Sequence, residues 1–121
     1  MSEALGDDAA GSLPPEDAKL VTLARSARAR FGAAEGAAVR DETGRTYVAA
    51  TVDLSSLQLS AVQAVVAAAV SSGSQTLDAV AVVGDLEKLR DADRAVLDEV
   101  SVTTVVIADP DGVRRSSPVE P

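Results

Sequence analysis

Four polar residues have types and positions that could support chemistry. Ser60 could act as a nucleophile, but the chain contains no His, so its base would be Lys, Asp or Glu, and N-capping of a helix explains it better. Arg90 and Asp93, three residues apart, could bind a phosphate at a helix start or form a surface ion pair. Asp53 could face a pocket or cap the next helix or turn.

Two short motifs suggest ion or phosphate binding but lack the remaining ligands. The sequence Asp-Pro-Asp-Gly at 109–112 resembles part of a calcium loop, yet the other ligands of such a loop do not follow. The segment "VVGDLEKL" at 82–89 has one Gly after a β-prone run and lacks the further glycines and the Lys of a phosphate-binding loop. We interpret the first motif as a β-turn and assign no binding to the second.

Composition and charge limit the classes of function that this protein can have. The 121 residues are 46% apolar with one Phe, one Tyr and no Trp, which favours a compact core of small side chains and leaves few rings for stacking a base. The net charge is −8, which disfavours binding to nucleic acid. The cations Arg25, Arg28 and Arg30 lie on one predicted helix, and we interpret them as its solvated face.

Two features bear on the location of the protein. The first residues, "MSEALGDDAAG", are acidic and do not have the basic and apolar regions of a signal peptide. The longest strongly apolar run, residues 64–70, is much shorter than the ~20 residues that span a bilayer. We therefore expect a cytoplasmic protein without membrane contacts, in which the absence of Cys excludes disulfides.

The elements that must position these side chains follow the order α-β-β-α-β-α-β. The first helix starts at the prolines 14 and 15 and ends at Gly32, with an apolar stripe through Leu20, Ala24 and Phe31. A hairpin turning at Gly44 precedes a deeply buried helix at 57–71 that ends at Gly73. The remaining elements are a Val-rich strand "LDAVAVVGD", a helix "LEKLRDADRAVLDEVS" and a strand within "VTTVVIADPDG".

This order predicts a single domain with a mixed sheet. A hairpin followed by β-α-β crossovers gives antiparallel and parallel strands in one sheet, with helices packed over it. We expect the domain to span residues 13–115, preceded by a flexible acidic tail at 1–12 and followed by a short tail at 116–121.

Short motifs connect the chain with a known family. The segments "GAA" at 36–38 and "TGR" at 43–45 match the hairpin of cytidine deaminases, and "TVD" at 51–53 stands where those enzymes have Asn-x-Glu. The segment "LRDADRAVLDEV" follows their second metal motif without gaps. The chain thus resembles the cytidine deaminase family over about residues 17–112. The resemblance implies a three-layer α/β/α sandwich with a mixed sheet of four or five strands.

The resemblance also assigns the positions of a zinc site. Family members hold Zn²⁺ through His or Cys and two further Cys, and use a Glu to move protons. These positions correspond to Ser60, Arg90 and Asp93 for the metal and to Val62 for the acid. A hydroxyl is a weak zinc ligand, a guanidinium repels a cation, and Val62 has no proton to exchange. With no His or Cys in the chain, the resemblance implies no metal, no cofactor and no deaminase activity.

Three functions remain open. The first is a catalytically inactive protein that associates with itself, as the dimers or tetramers that family members form around the second helix, or with another protein. The second is a nucleoside or nucleotide sensor that uses Thr51, Asp53 and Arg90 in the remaining pocket. The third is an enzyme that works without zinc, for which the sequence shows no recognisable catalytic group.

Overall fold

The computed structural model describes residues 13–115, so both predicted tails, 1–12 and 116–121, lie outside the described residues. Three helices and six strands form within that range. They are α1 (Pro15–Phe31), β1 (Glu35–Asp41), β2 (Thr46–Ala50), β3 (Val52–Leu54), β4 (Leu57–Leu59), α2 (Ala61–Ser71), β5 (Leu77–Gly84), α3 (Asp91–Glu99) and β6 (Thr104–Ala108).

The predicted three-layer arrangement with a mixed sheet is confirmed. The main sheet has four strands in the order β2-β1-β5-β6. The strands β2, β1 and β5 are antiparallel neighbours, and β5 is parallel to β6, with α3 in the crossover between them. Helix α1 packs on one face of the sheet, and α2, with α3 beside it, packs on the other.

The alternation of side chains along β5 explains why both faces of the sheet are covered. Ala79, Ala81 and Val83 belong to the apolar cluster under α1. Val80 and Val82 belong to the cluster under α2 and α3. A strand that is apolar at successive positions needs helices on both sides, and this is the arrangement that its composition predicts.

Helix α1 has the predicted ends. It begins at Pro15, has acidic residues in its first turn and ends at Gly32, whose φ of 60° suits glycine. Its apolar stripe is predicted correctly at Leu20 and Ala24, which are buried, but not at Phe31, which is 65% exposed. The periodicity of a helix does not show how far the sheet beneath it extends, and the ring of Phe31 instead lies under the Arg30 guanidinium, 5.1 Å from its carbon atom.

The prediction of a helix from residue 57 is wrong. Residues 57–59 form strand β4, which pairs with β3 in a separate two-stranded sheet, and α2 starts only at Ala61. The start is fixed by a capping box: the Ser60 hydroxyl accepts a hydrogen bond from the Gln63 backbone N–H, while the Gln63 side chain accepts one from the Ser60 N–H. Since that cap holds Ser60 in an extended conformation, the residues before it cannot join the helix.

The third helix is also shorter than predicted, because it starts at Asp91 rather than at residue 86. Arg90 has an extended backbone conformation, and its side chain contacts both Glu35 of β1 and Asp93 in the first turn of the helix. The predicted β-turn at 109–112 is confirmed, because the Gly112 N–H donates to the Asp109 carbonyl. The Asp109 carboxylate also accepts from the backbone N–H groups of Asp111 and Val113. Within residues 13–115, no helix is both long and apolar enough to cross a membrane.

Candidate functional site

Three elements bring the candidate residues together. The start of α2 places Ser60, the first turn of α3 places Asp93, and the residue just before α3 is Arg90. The structure joins all three, since Ser60 Oγ donates to Asp93 Oδ1 at 2.6 Å and Arg90 Nη2 donates to Asp93 Oδ2 at 3.2 Å. The three positions that the resemblance assigns to the metal ligands therefore lie next to one another.

A fourth residue, Glu35 at the start of β1, completes this cluster. Arg90 donates to both of its carboxylate oxygens, with Nη1 2.9 Å from Oε2 and Nη2 2.6 Å from Oε1. Such a two-point contact between a guanidinium and a carboxylate is strong and directional. Glu35 was not predicted from the sequence, although it is the only acidic residue of "GAAEGAA" and the first residue of a strand that continues with small apolar side chains.

The electrostatics of the cluster follow from its burial. Glu35 and Asp93 are buried at 8% and 1% exposure, whereas half of the Arg90 side chain remains accessible. The hydrogen bonds to Glu35 raise the pKa of the Arg90 guanidinium above its ordinary value, partly offset by its burial. Arg90 therefore carries a permanent charge that two buried carboxylates share.

Ser60 is a structural link rather than a free nucleophile. Its Oγ accepts the hydrogen bond that caps α2 and donates its own proton to Asp93. The N-capping interpretation from the sequence is thus confirmed. Val62, two residues further on, is fully buried in the apolar cluster between α2 and the sheet. It lies outside the polar cluster and contributes packing alone.

A cavity of about 390 Å³ lies beside the cluster. The cavity is lined by the start of β1, by the β3–β4 hairpin and by the residues just before α2 and α3. The lining residues are Ala34, Glu35, Thr51, Val52, Asp53, Gln58, Leu59, Ser60 and Arg90. The three residues predicted to bind a ligand, Thr51, Asp53 and Arg90, all belong to this lining, whereas Asp93 lies behind Arg90.

The polar groups of the cavity differ in how many hydrogen bonds they already make within the protein. Thr51 Oγ1 accepts from the Glu35 backbone N–H at 3.0 Å, so this hydroxyl fixes the start of β1. Asp53 makes one long contact, 3.4 Å from Gln58 Nε2 across the β3–β4 pair. Asp53 is therefore the group with the most free acceptor capacity, and it does not cap α2, which is the task of Ser60. Gln58 was missed because the sequence placed it in a helix.

The cluster does not fit the zinc ion that the resemblance implies for active family members. The described range, residues 13–115, contains no group of three or more His, Cys, Asp or Glu that could hold a metal ion. The whole chain has no His and no Cys. Between Glu35 and Asp93, where a cation would be attracted, the guanidinium of Arg90 already binds both carboxylates.

Comparison with known proteins gives a consistent result. The family model for cytidine deaminase-like proteins matches residues 13–112. The cytidine deaminase of Mycobacterium tuberculosis has 31% identity and a TM-score of 0.62, and the match covers 80% of this chain and 86% of that one. The Mycobacterium leprae enzyme has 26% identity and a TM-score of 0.61, covering 78% and 88%.

A further solved structure supports the fold alone. The cytidine deaminase of Burkholderia pseudomallei has 24% identity and a TM-score of 0.69, covering 82% of this chain and 89% of that one. The search of curated proteins gave no match.

Proposed function

The chain belongs to the cytidine deaminase-like family, and we propose that it is a catalytically inactive member that acts by associating with further copies of itself. The observation that carries the proposal is the cluster of Ser60, Asp93, Arg90 and Glu35. Hydrolytic deamination needs a metal-activated water and a nearby acid. Here a guanidinium and a capping hydroxyl take the positions that the resemblance assigns to the metal ligands.

The proposed loss of activity has a direct test. Purified protein is expected to contain no stoichiometric zinc by mass spectrometry and to release no ammonia from cytidine, with or without added zinc. A cytidine deaminase of the same fold, measured in parallel, provides the positive control. Tightly bound zinc in the purified protein, or a release of ammonia that a chelator abolishes, would contradict the proposal.

Support for self-association comes from the outer face of α2. The sequence predicted that this helix is buried on every side, but Ala67 and Val70 are exposed, Val70 at 49%. The tip of the neighbouring β3–β4 hairpin also exposes Leu54 and Leu57. Residues 54–77 contain no Asp, Glu, Lys or Arg, in a chain that is 25% charged. Two copies of an acidic protein repel each other least where both surfaces are uncharged.

The association is tested by placing a charge on this surface. We expect sedimentation velocity to show a concentration-dependent dimer or tetramer for the wild type and a monomer for Val70→Asp. Val113→Asp is the matched control, since Val113 is 44% exposed but lies after β6. A wild type that remains monomeric at every concentration, or equal effects of the two substitutions, would contradict association through α2.

The cavity favours a second candidate function, namely binding of a nucleoside without turnover. Thr51, Asp53 and Arg90 line one cavity, and Asp53 has acceptor capacity left for hydroxyl groups. The positive charge of Arg90 is already balanced by Glu35, so the lining is acidic and disfavours phosphate groups. This favours nucleosides over nucleotides.

Isothermal titration calorimetry tests this candidate with cytidine, deoxycytidine, uridine and their monophosphates. We expect heat from a nucleoside, weaker binding of its phosphate, and loss of binding in Asp53→Asn. Absence of heat at millimolar ligand would exclude the candidate without affecting the association proposal.

A further inference from the structure

Strand β2 forms one edge of the main sheet, and no other strand within residues 13–115 pairs with its outer side. Its inner side pairs with β1 in a regular antiparallel ladder. The Thr51 N–H donates to the Glu35 carbonyl at 3.1 Å, and the Asp41 N–H donates to the Arg45 carbonyl at 2.8 Å. Because hydrogen-bonded pairs alternate with non-bonded pairs in such a ladder, every second residue of β2 directs its backbone N–H and C=O away from β1.

The outward backbone groups belong to Thr46, Val48 and Ala50. They present three N–H donors and three carbonyl acceptors along the edge. Many proteins protect such an edge with Pro, Lys or a β-bulge, but β2 reads TYVAA and pairs with β1 in unbroken register. The Val48 side chain is also 37% exposed. The edge can therefore accept a further strand through main-chain hydrogen bonds.

A second copy of β2 fits this edge in a symmetrical register. When two copies pair antiparallel with Val48 on the two-fold axis, Val48 lies opposite its own copy and Thr46 lies opposite Ala50. All of the outward N–H and C=O groups of these residues then have partners. Tyr47 and Ala49 face the cluster under α2, so the two Val48 side chains cover each other on the α1 face of the sheet.

The position of α2 favours a second copy over an unrelated extended peptide. Helix α2 packs over both β2 and β1, whereas α3 crosses between β5 and β6 toward the other edge of the sheet. Neighbouring strands lie about 4.8 Å apart, so pairing of two β2 edges places the two α2 helices about 10 Å apart. Helices in contact have this spacing, and the Ala and Val residues of α2 suit close packing. Strand edge and helix then belong to one contact.

The charges near the edge do not oppose this contact. Neither β2 nor residues 54–77 contain a charged side chain. Arg45 precedes β2, but antiparallel pairing places it and its copy about 20 Å apart, beyond the screening length of about 8 Å at physiological salt. The Glu42 carboxylate, in the turn before it, accepts hydrogen bonds from the backbone N–H groups of Gln75 and Thr76.

We propose that the β2 edges of two copies pair antiparallel about Val48 and join the two main sheets into one, with the α2 helices side by side across the same axis. This inference rests on the self-association proposed above and adds its geometry. Backbone hydrogen bonds and the surface of α2 contribute to a single interface, so loss of either part weakens the association.

Amide hydrogen exchange in the full ¹⁵N-labelled chain tests the pairing residue by residue. We expect the amides of Thr46, Val48 and Ala50 to exchange at least about tenfold more slowly in the associated wild type than in monomeric Val70→Asp. The two amides between them bond to β1 in both proteins and provide the internal control. Equal rates at the three positions in both proteins would overturn the edge pairing and leave association through α2 intact. Slow exchange in the monomer as well would show that a single copy already covers the edge, and would also overturn it.

Val48→Lys tests the same contact by a separate measurement. Lys is well tolerated on an exposed strand edge, but here the pairing would set two like charges opposite each other on the axis. We expect the dissociation constant from sedimentation velocity to rise at least about tenfold, and Val113→Lys, at a position that is 44% exposed after β6, to leave it unchanged. Association of Val48→Lys equal to that of the wild type would overturn the edge pairing. A wild type that stays monomeric at every concentration would contradict the association proposal and this inference together.

Discussion

At the scale of single residues, Arg90 decides the properties of the polar cluster. Its guanidinium binds two buried carboxylates, one at the start of β1 and one in α3. A buried charge that loses its partner is strongly destabilising, whereas the intact pair contributes little net stability. We therefore expect the intact cluster to add little to the stability of the fold, and loss of Arg90 alone to lower that stability clearly.

We expect Arg90→Ala to lower the free energy of unfolding by about 2–3 kcal/mol, because Glu35 and Asp93 are left without a cation. The value is below the ~3–5 kcal/mol of a fully enclosed pair, since half of the Arg90 side chain is accessible. Urea unfolding followed by circular dichroism measures it. Arg94→Ala, an exposed position of the same helix, is the control, and equal losses in both variants would show that the cluster has no special role.

Asp41 is a further buried carboxylate, and its lowered pKa predicts that the stability of the fold depends on pH. The hydrogen bond from Ser74 Oγ, at 2.6 Å, together with those from Thr43 and Arg45, lowers the pKa of Asp41 from 3.8 to about 2 against the opposing effect of burial. Because the folded-state pKa lies below the unfolded one, the carboxylate stabilises the fold above about pH 4, and this contribution is lost as the pH falls toward 2.

We therefore expect Asp41→Asn to be less stable than the wild type at neutral pH and the difference to shrink between pH 4 and pH 2. Urea unfolding at several pH values measures the difference. Asp98→Asn, at an exposed position, should show a small and constant difference. A difference for Asp41→Asn that stays constant over the same interval would argue against the lowered pKa.

At the scale of elements, the sequence predicted those parts whose signals are local. The ends of α1, the buried strand β5 and the turn after β6 follow from prolines, glycines and apolar runs. The hairpin of β3 and β4 could not be predicted in this way, because "DLSSLQL" has no glycine to mark its turn and continues directly into the apolar residues of α2.

The candidate site was predictable only in part, for a related reason. Arg90 and Asp93 were found because their segment resembles a family motif, and Ser60 was found because the resemblance places it at a metal position. Glu35 meets Arg90 across 55 positions of the chain, and no local pattern indicates a contact of that kind. Gln58 lies in strand β4, which the sequence analysis placed in a helix. Because that boundary was wrong, Gln58 was not predicted to line the cavity.

Contact between α1 and β1 depends on Gly36. A Cβ atom there would lie 2.1 Å from the Ala24 carbonyl oxygen and 2.8 Å from the Arg28 nitrogen, both of them backbone atoms that cannot turn aside. We expect Gly36→Ala to destabilise the protein by at least about 1–3 kcal/mol, because the helix must move away from the sheet.

Gly32→Ala provides the comparison for this prediction. Gly32 has a φ of 60°, but a methyl group added to its Cα would have no neighbour within 4 Å, so its substitution costs about 1 kcal/mol through backbone strain alone. Chemical unfolding of both variants measures the two costs. A smaller loss in Gly36→Ala than in Gly32→Ala would show that the helix and sheet are not in such close contact.

At the scale of the whole molecule, charge is distributed unevenly. The chain carries −8 overall, while residues 54–77, which include α2, carry no charged side chain. If two copies meet through that uncharged surface, the repulsion between their remaining charges opposes association, and salt reduces that repulsion.

We thus expect the dissociation constant of the self-associated form to decrease as the salt concentration rises from about 0.05 M to 0.5 M, a range over which the screening length falls severalfold. Sedimentation velocity at several salt concentrations measures this change, and Val70→Asp should remain monomeric throughout. Weaker association at higher salt would indicate that ion pairs, rather than apolar contacts, hold the copies together.

The pairing of Arg90 with Glu35 and Asp93 also constrains how the sequence can evolve. Exchanging Arg90 alone for a neutral ligand such as cysteine would leave two enclosed carboxylates facing each other, and exchanging either acid alone would leave a guanidinium without its full set of acceptors. Each single step toward a metal centre passes through a less stable intermediate. Placing metal ligands at these positions would therefore require several substitutions together, because each of them alone lowers the stability of the fold.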